Sequence, residues 1–257
     1  MAETLLVEIA ERIATLTISR EQRRNALDDA TLVLLKKALE DLASADVTAI
    51  ILTGAGSKAF CAGADIKELA AKPLKERIAS TDLGQTVGDM IEQHPRPVIA
   101  AIEGYCLGGG LEMAMSCDYR LCAEGAMLGL PEVALGALSS WGGTVRLPRL
   151  IGPARAKEVI LFNRRLDARE ALEWGLVNRV VPQGTALQAA RALAAEVFAK
   201  TDPGIVAIAK GLVAHGTNAP QRAARHLELL ADMSVLASDA LQSGVTKFAE
   251  KGPDRSR

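Results

Sequence analysis

The chain has 257 residues, 49% hydrophobic and 24% charged, with a formal net charge of −1. That balance describes a globular chain, long for one domain and able to bury a sizeable core. Near-neutral charge without a long basic run argues against nucleic acid or an anionic membrane as main partner, and 3% aromatic residues leave little material for stacking bases.

At the N-terminus Glu3, Glu8 and Glu11 interrupt any apolar run. No secretory signal is read there, and a cytoplasmic location is expected. Residues 5–10 and 12–19 alternate or run apolar with β-branched residues, which predicts a strand pair with a tight turn near Glu11. Arg20, Arg23 and Arg24 form a basic cluster with two open readings, a solvated face or a small phosphate site. A helix follows, with Leu32, Leu35, Leu39 and Leu42 at helical spacing and Asp28 and Asp29 in its first turn. Residues 47–52 read as a short buried strand. The next residues, Gly54 to Ala59, fit the pattern GxGxxA, the dinucleotide-binding fingerprint. That fingerprint needs a helix starting within it, whereas Phe60 to Ala64 reads as more loop. A nicotinamide-dependent oxidoreductase is therefore the weakest reading.

Ala62, Gly63 and Ala64 would let the backbone pass close to another group, and a helical stretch begins near Asp65. Residues 81–94 predict another helix, closed by His94-Pro95-Arg96-Pro97. Residues 97–102 have the length and composition of a buried strand. The stretch 104–118, GYCLGGGLEMAMSCD, is the one around which the chain is organised. Gly108, Gly109 and Gly110 suggest a strained turn or a close approach to a ligand, and a helix start is read at residues 111–115. Glycines before a helix leave N–H groups free to bind an anion or a developing oxyanion. Glu112 follows in the first helical turn. It is either dipole compensation or a general base beside an oxyanion hole.

Residues 119–122 predict a strand. Glu132 then lies between Leu130 and Val133. It is either a surface carboxylate after Pro131 or a buried one kept protonated near neutral pH, able to act as an acid. Residues 135–146, LGALSSWGGTVR, form a glycine- and serine-rich turn running into a helix. Helices are expected at 153–162 and from a cap at Asp167 to about Trp174, then a short strand at 178–181. Beyond it the chain is almost all helical, over 186–200, 204–214, 221–231 and 236–251. The run 133–145 is uncharged but too short to span a bilayer. Cys61, Cys106, Cys117 and Cys122 lack metal-ligand spacing and read as buried free thiols in a reducing compartment. His94, His215 and His226 are scattered, so metal catalysis has little support.

Together these pieces resemble the crotonase (enoyl-CoA hydratase/isomerase) superfamily over about residues 5–251. KAFCAGADIKE at 58–68, GYCLGGGLEMAMSCD at 104–118 and LPEVALG at 130–136 carry the resemblance, with support from GGTVRLPRLIG, AREALEWGLVNRVVP and GVTKFAEK. It implies an α/β fold, a spiral of strand–strand–helix repeats over residues 1–195. A helical C-terminal trimerisation region would follow at 196–257, giving a homotrimer or homohexamer. It further implies hydration of a 2-enoyl-CoA thioester, with coenzyme A as part of the substrate and neither metal nor redox cofactor. The oxyanion hole would be the N–H groups of Ala64 and Gly109, and the two glutamates Glu112 and Glu132. Glu112 would deprotonate water, and Glu132 would supply a proton to Cα. The resemblance assigns substrate binding to Ala62, Asp65, Ile66, Gly108 and Trp141, with Arg23 and Arg24 at the nucleotide. Phe248 and Lys251 of a neighbouring subunit would close over it. The chain departs from the family pattern at Ser139, Ser140 and Trp141, where many hydratases have proline, glycine and a small residue. Trp141 either reshapes the acyl pocket or only packs the following helix. The Arg-Pro pair of the family is Arg20-Glu21 here. A double-bond isomerase, a hydratase for branched or cyclic acyl groups, and a non-catalytic acyl-CoA-binding subunit are the remaining alternatives.

Overall fold

The computed structural model describes residues 3–198, 200–217 and 219–251, with only the backbone for 247–251. The chain opens with β1 (Leu5–Ala10) and β2 (Ile13–Ile18), an antiparallel pair joined through Glu11 and Arg12. Both turn residues have positive φ (50° and 62°), the requirement of a two-residue hairpin whose twist matches its strands. Then come α1 (Asp29–Ala43) and β3 (Ala49–Gly54). The expected apolar stripe of α1 is buried at Leu32, Leu35, Leu39 and Leu42. Asp28 is its N-cap rather than a first-turn residue, its carboxylate accepting from Thr31 N at 2.8 Å.

Next are β4 (Ala59–Cys61), α2 (Ile66–Ala71), α3 (Leu74–Gln93), β5 (Val98–Ile102), β6 (Tyr105–Leu107) and α4 (Gly109–Ser116). The helix expected over 81–94 begins seven residues earlier, because Pro73 sits at its N-cap. The first two turns are mostly exposed and so lack an apolar stripe to announce them. The chain continues through β7 (Tyr119–Ala123), β8 (Met127–Gly129), α5 (Gly143–Ile151), α6 (Pro153–Leu161), β9 (Arg165–Asp167), α7 (Ala168–Glu173) and β10 (Arg179–Val181). It ends in α8 (Ala186–Phe198), α9 (Pro203–Gly216), α10 (Gln221–Leu236) and α11 (Asp239–Lys251).

Two sheets organise these elements. The larger has the order β1-β2-β3-β5-β7-β10, parallel from β2 onward. Its central strand β3 is buried at every position, as a parallel strand covered on both faces must be. Period-two alternation sends Ile50 and Leu52 into the main core and Ala49 and Ile51 to the opposite face. There α8 packs through Ala186, Ala190 and Ala194, whose four-residue spacing presents one small-residue face to the sheet.

The smaller sheet, β4-β6-β8-β9, was not legible in the sequence. Its strands have three residues each, too short to show a period. It corrects the reading of 60–64 as loop for Phe60 and Cys61, which belong to β4, and disposes of the GxGxxA fingerprint. Between β3 and β4 that motif is a strand–turn–strand connection, and no helix N-terminus follows it. The four cysteines are buried and free. Burial pushes the thiols of Cys61, Cys117 and Cys122 up to about 12, and Cys106 well above its ordinary value, which disfavours the reactive thiolate. His94 is buried and bonded to Leu39 O and Arg96. Among the described residues no group of side chains could hold a metal ion, and no helix is long and apolar enough to cross a membrane.

Candidate active site

Three parallel strands of the small sheet end together. β4 pairs with β6 through Cys61 and Cys106, and β6 with β8 through Leu107 and Gly129. Their C-terminal ends therefore deliver residues 62–64, 108–112 and 130–132 to one place. The chain crossing is tight. A Cβ on Gly63 (φ +106°) would lie 3.4 Å from Gly109 N and 3.7 Å from Gly108 Cα. One on Gly108 (φ +54°) would lie 2.9 Å from Glu132 Oε1. The positive φ at both positions favours glycine.

Ala64 and Gly109 present N–H groups at this crossing. Leu27 donates to Gly63 O and accepts from Asp65 N, each at 2.8 Å, which leaves the intervening Ala64 N–H outside the bridge. Gly109 is the first residue of α4, whose internal ladder starts with Glu112 N to Gly108 O at 3.0 Å. The Gly109 N–H is thus one of the donors a helix cannot satisfy internally.

Both glutamates line the same cavity of about 190 Å³ as Ala64 and Gly109. Glu112 is only 2% exposed. Its Oε1 accepts from Trp141 N and Gly143 N, both at 2.7 Å, so this one oxygen holds the loop. Burial is the main cause that lifts its carboxyl from 4.5 to about 7. The two N–H donors oppose that rise, and the nearby Glu132 charge adds to it. Glu132 is half-buried at the start of a single 3-10 turn, Glu132–Leu135. It too is raised, mainly by burial, while Ser139 Oγ opposes the shift by donating to its Oε2 at 2.9 Å. The deeper carboxylate is therefore Glu112, and Glu132 falls between its two readings, neither fully exposed nor fully buried. Pro131 and the 3-10 turn hold that segment at the cavity rim, and Val133 and Leu135 beside it are exposed.

The loop over 135–146 is anchored by Arg146, itself buried. Its guanidinium donates to Trp141 O at 2.9 Å and reaches Glu92 and Asp89 of α3 at 2.9 and 2.7 Å. Trp141 is 6% exposed, and its indole fills the space over Gly84 of α3 and Gly109 of α4. A Cβ on Gly109 would fall 2.5 Å from Trp141 Cζ3. The indole forms cavity wall and packs against α3 and α4, whereas the packing reading had placed it on the following helix.

The other expected binding residues divide. Ala62, Asp65, Ile66 and Gly108 line the cavity. Asp65 lines it, yet its carboxylate is held by Arg20 at 3.1 Å and caps α2 through Glu68 N. Burial opposes its charge, but these partners outweigh it and keep the carboxyl below its ordinary value. Arg23 and Arg24 are exposed and do not line the cavity. Arg24 instead stacks over Tyr105 at 5.5 Å and borders a small separate cleft with Lys58, while its carbonyl receives Ala62 N at 3.0 Å. The side chains of Phe248 and Lys251 lie outside the described residues. Sequence reasoning missed Ser139 as the partner of Glu132, and it missed Asp29, Glu68, Lys72 and Ser80, which also line the cavity. Hydroxyls and charges scattered over four segments carry no local signal of convergence.

Residues 8–255 match the model of the family described as enoyl-CoA hydratase/isomerase. The chain is 38% identical over 253 residues to the putative enoyl-CoA hydratase/isomerase YngF of Bacillus subtilis, covering 98% of this chain and 97% of that protein. It is also 38% identical over 253 residues to the crotonyl-CoA hydratase of Syntrophomonas wolfei, covering 97% and 96%. The crystal structure of an enoyl-CoA hydratase from Bacillus anthracis superposes with a TM-score of 0.93 at 39% identity, over 97% of each chain.

The raised Glu112 carboxyl has a consequence for stability. The native group keeps its proton to about pH 7, whereas the unfolded one releases it near 4.5. Its stabilising contribution is full below 4.5 and is lost as pH rises through 7. Urea unfolding from about pH 4 to 8 should show wild type losing stability relative to Glu112→Gln across that window. Parallel curves would mean that Glu112 titrates near its ordinary value.

Proposed function

The chain belongs to the enoyl-CoA hydratase/isomerase family, and on that premise we propose that it adds water across the double bond of a 2-enoyl-CoA thioester. One observation carries the reading: two carboxylates of raised pKa and two N–H groups outside the local backbone ladders line one cavity. Adding water to a conjugated thioester drives an electron pair onto the thioester oxygen. The N–H groups of Ala64 and Gly109 stabilise that oxygen, and one such donor is worth about 3 kcal/mol. Glu112 orients water through Oε2 and takes a proton as the oxygen bonds to Cβ. A base whose pKa lies near neutrality is suited to that transfer. Glu132, oriented by Ser139, is the group that delivers a proton to Cα. The products of the step are one C–O and one C–H bond, with no net oxidation, so the chemistry requires no electron acceptor.

The relative from Syntrophomonas wolfei is named a crotonyl-CoA hydratase, which supports a short acyl group as the first substrate to try. Coenzyme A would enter over the apolar rim at Ile66, Leu135 and Leu138, which are 57%, 62% and 72% exposed. Arg23 and Arg24 would meet its phosphates outside the cavity, a role consistent with their exposure. The region 196–257 is proposed as an assembly surface beside the core of residues 1–195, with a trimer or hexamer as the product. Its support is the exposed apolar set Leu229, Leu230, Met233 and Leu236 on α10.

Three measurements test these statements. Crotonyl-CoA should lose its conjugated-thioester ultraviolet band on mixing with the protein. Glu112→Gln and Glu132→Gln should each slow that loss about 10²–10⁴-fold. A nearly normal rate removes the altered residue from the mechanism. Failure to hydrate crotonyl-CoA together with shift of a 3-enoyl-CoA double bond would make the chain an isomerase, and binding without any turnover would make it a carrier. Trp141→Ala should admit branched acyl groups and cost about 3–5 kcal/mol in urea unfolding. An unchanged substrate profile would leave the indole as packing alone. Light scattering should give a trimer or hexamer, and a monomeric mass would overturn the assembly role.

A further inference from the structure

The cavity has a charged wall that the proposed reaction does not use. Lys72 follows α2 directly, and its side chain is 14% exposed. Its ammonium lies 2.7 Å from Asp29 Oδ2, 2.6 Å from Glu68 Oε1 and 3.0 Å from Ser80 Oγ. Ser80 is buried on α3, and its hydroxyl lies 3.0 Å from Asp29 Oδ2 and from Glu76 O. Asp29, Glu68, Lys72 and Ser80 all face the cavity that holds Glu112 and Glu132. Burial opposes the charge on Lys72, but the two carboxylates outweigh it and hold the ammonium above its ordinary value.

The wall is remote from the basic cluster. Asp65 caps the start of α2, paired with Arg20 and within the field of Arg23. Lys72 stands at the other end of that helix, roughly 10 Å away at 1.5 Å per residue. On the reading proposed above, a thioester held at Ala64 and Gly109 with its nucleotide toward Arg23 and Arg24 would extend its acyl tail toward Lys72. There the polar groups that line the cavity beside Leu32 and Leu69 have no proton to offer a carboxylate. An ammonium has three protons, and all three have partners in the network. The carboxylates of Asp29 and Glu68 keep free lone pairs, and the triad Lys72, Asp29 and Glu68 has a net charge of −1.

We propose that this network closes the acyl end of the cavity and makes the site selective for short, uncharged acyl groups. It rejects tails that end in a carboxylate, by repulsion from Asp29 and Glu68. It also rejects long apolar tails, which would desolvate the ion pairs without offering them a polar partner. This inference rests on the acyl-CoA reading above and assigns that site its substrate class.

Calorimetric titration with saturated thioesters tests it without turnover. Wild type should bind pentanoyl-CoA at least tenfold more tightly than glutaryl-CoA, and butyryl-CoA at least tenfold more tightly than octanoyl-CoA. Asp29→Asn combined with Glu68→Gln turns the network cationic while keeping its size. It should bring glutaryl-CoA level with pentanoyl-CoA or above it, a shift in preference that a purely structural network would not produce. Should that variant fail to fold, Glu68→Gln alone should narrow the glutaryl gap at least threefold. Equal binding of the pentanoyl and glutaryl thioesters by wild type, or an unmoved ratio in the variants, would overturn the network's role and leave the hydratase reading intact. No binding of any of the four by wild type would overturn the acyl-CoA reading itself.

Discussion

The parallel pairing of β4, β6 and β8 is the constraint on which the site depends. Parallel strands share a direction, so the segments leaving their C-terminal ends emerge at one edge of the sheet. That edge receives Ala64 after β4, Gly109 and Glu112 after β6, and Glu132 after β8. Gly108 N donates to Gly129 O at 2.9 Å, which continues the pairing into the glycine turn itself. The glycines are consequences of this crowding. Gly63 and Gly108 take positive φ where two backbones nearly touch, and Gly110 lies against the Cys61 carbonyl.

Electrostatics at that edge follows from burial. A carboxylate as enclosed as Glu112 would be far more costly without donors, and the loop after Ser140 supplies two backbone N–H groups to one oxygen. The loop can do so because Arg146 holds it against α3 through Asp89, Glu92 and the Trp141 carbonyl. The residues that depart from the family pattern thus have local work. Ser139 orients Glu132, and the Trp141 indole occupies the room left by Gly84 and Gly109. The donors that hold Glu112 belong to the backbone of that loop and so do not depend on its side chains.

The cavity has two chemically different ends along one short helix. Asp65 at the start of α2 is tied to Arg20, which also pairs with Asp28 at 2.7 Å, on the side of the exposed arginines. Lys72 at its end is tied to Asp29 and Glu68, with every proton engaged. Neighbouring aspartates thus serve opposite ends, Asp28 toward Arg20 and Asp29 toward Lys72. The start of α1 thereby fixes where α2 lies over the cavity.

The sequence by itself determined the elements long enough to display a period or a cap. The leucine stripe of α1, the buried run of β5 and the capping box at Asp167 and Glu170 were all legible locally. So was the glycine turn with Glu112 behind it, although the helix read from residue 111 starts at Gly109, so that only Gly108 of the three glycines precedes it. The resemblance to a family extended that reading to Ala64 and Glu132 and to the kind of fold. The three-residue strands of the small sheet could not be read, since their order comes from partners far along the chain. Nor could the relative burial of the two glutamates, the pairing of Ser139 with Glu132, or the meeting of Asp29, Glu68, Lys72 and Ser80. Local order is written in spacing over a few residues. Burial and ion pairing depend on which distant segments the tertiary structure brings within a few ångströms, and only the fold decides that.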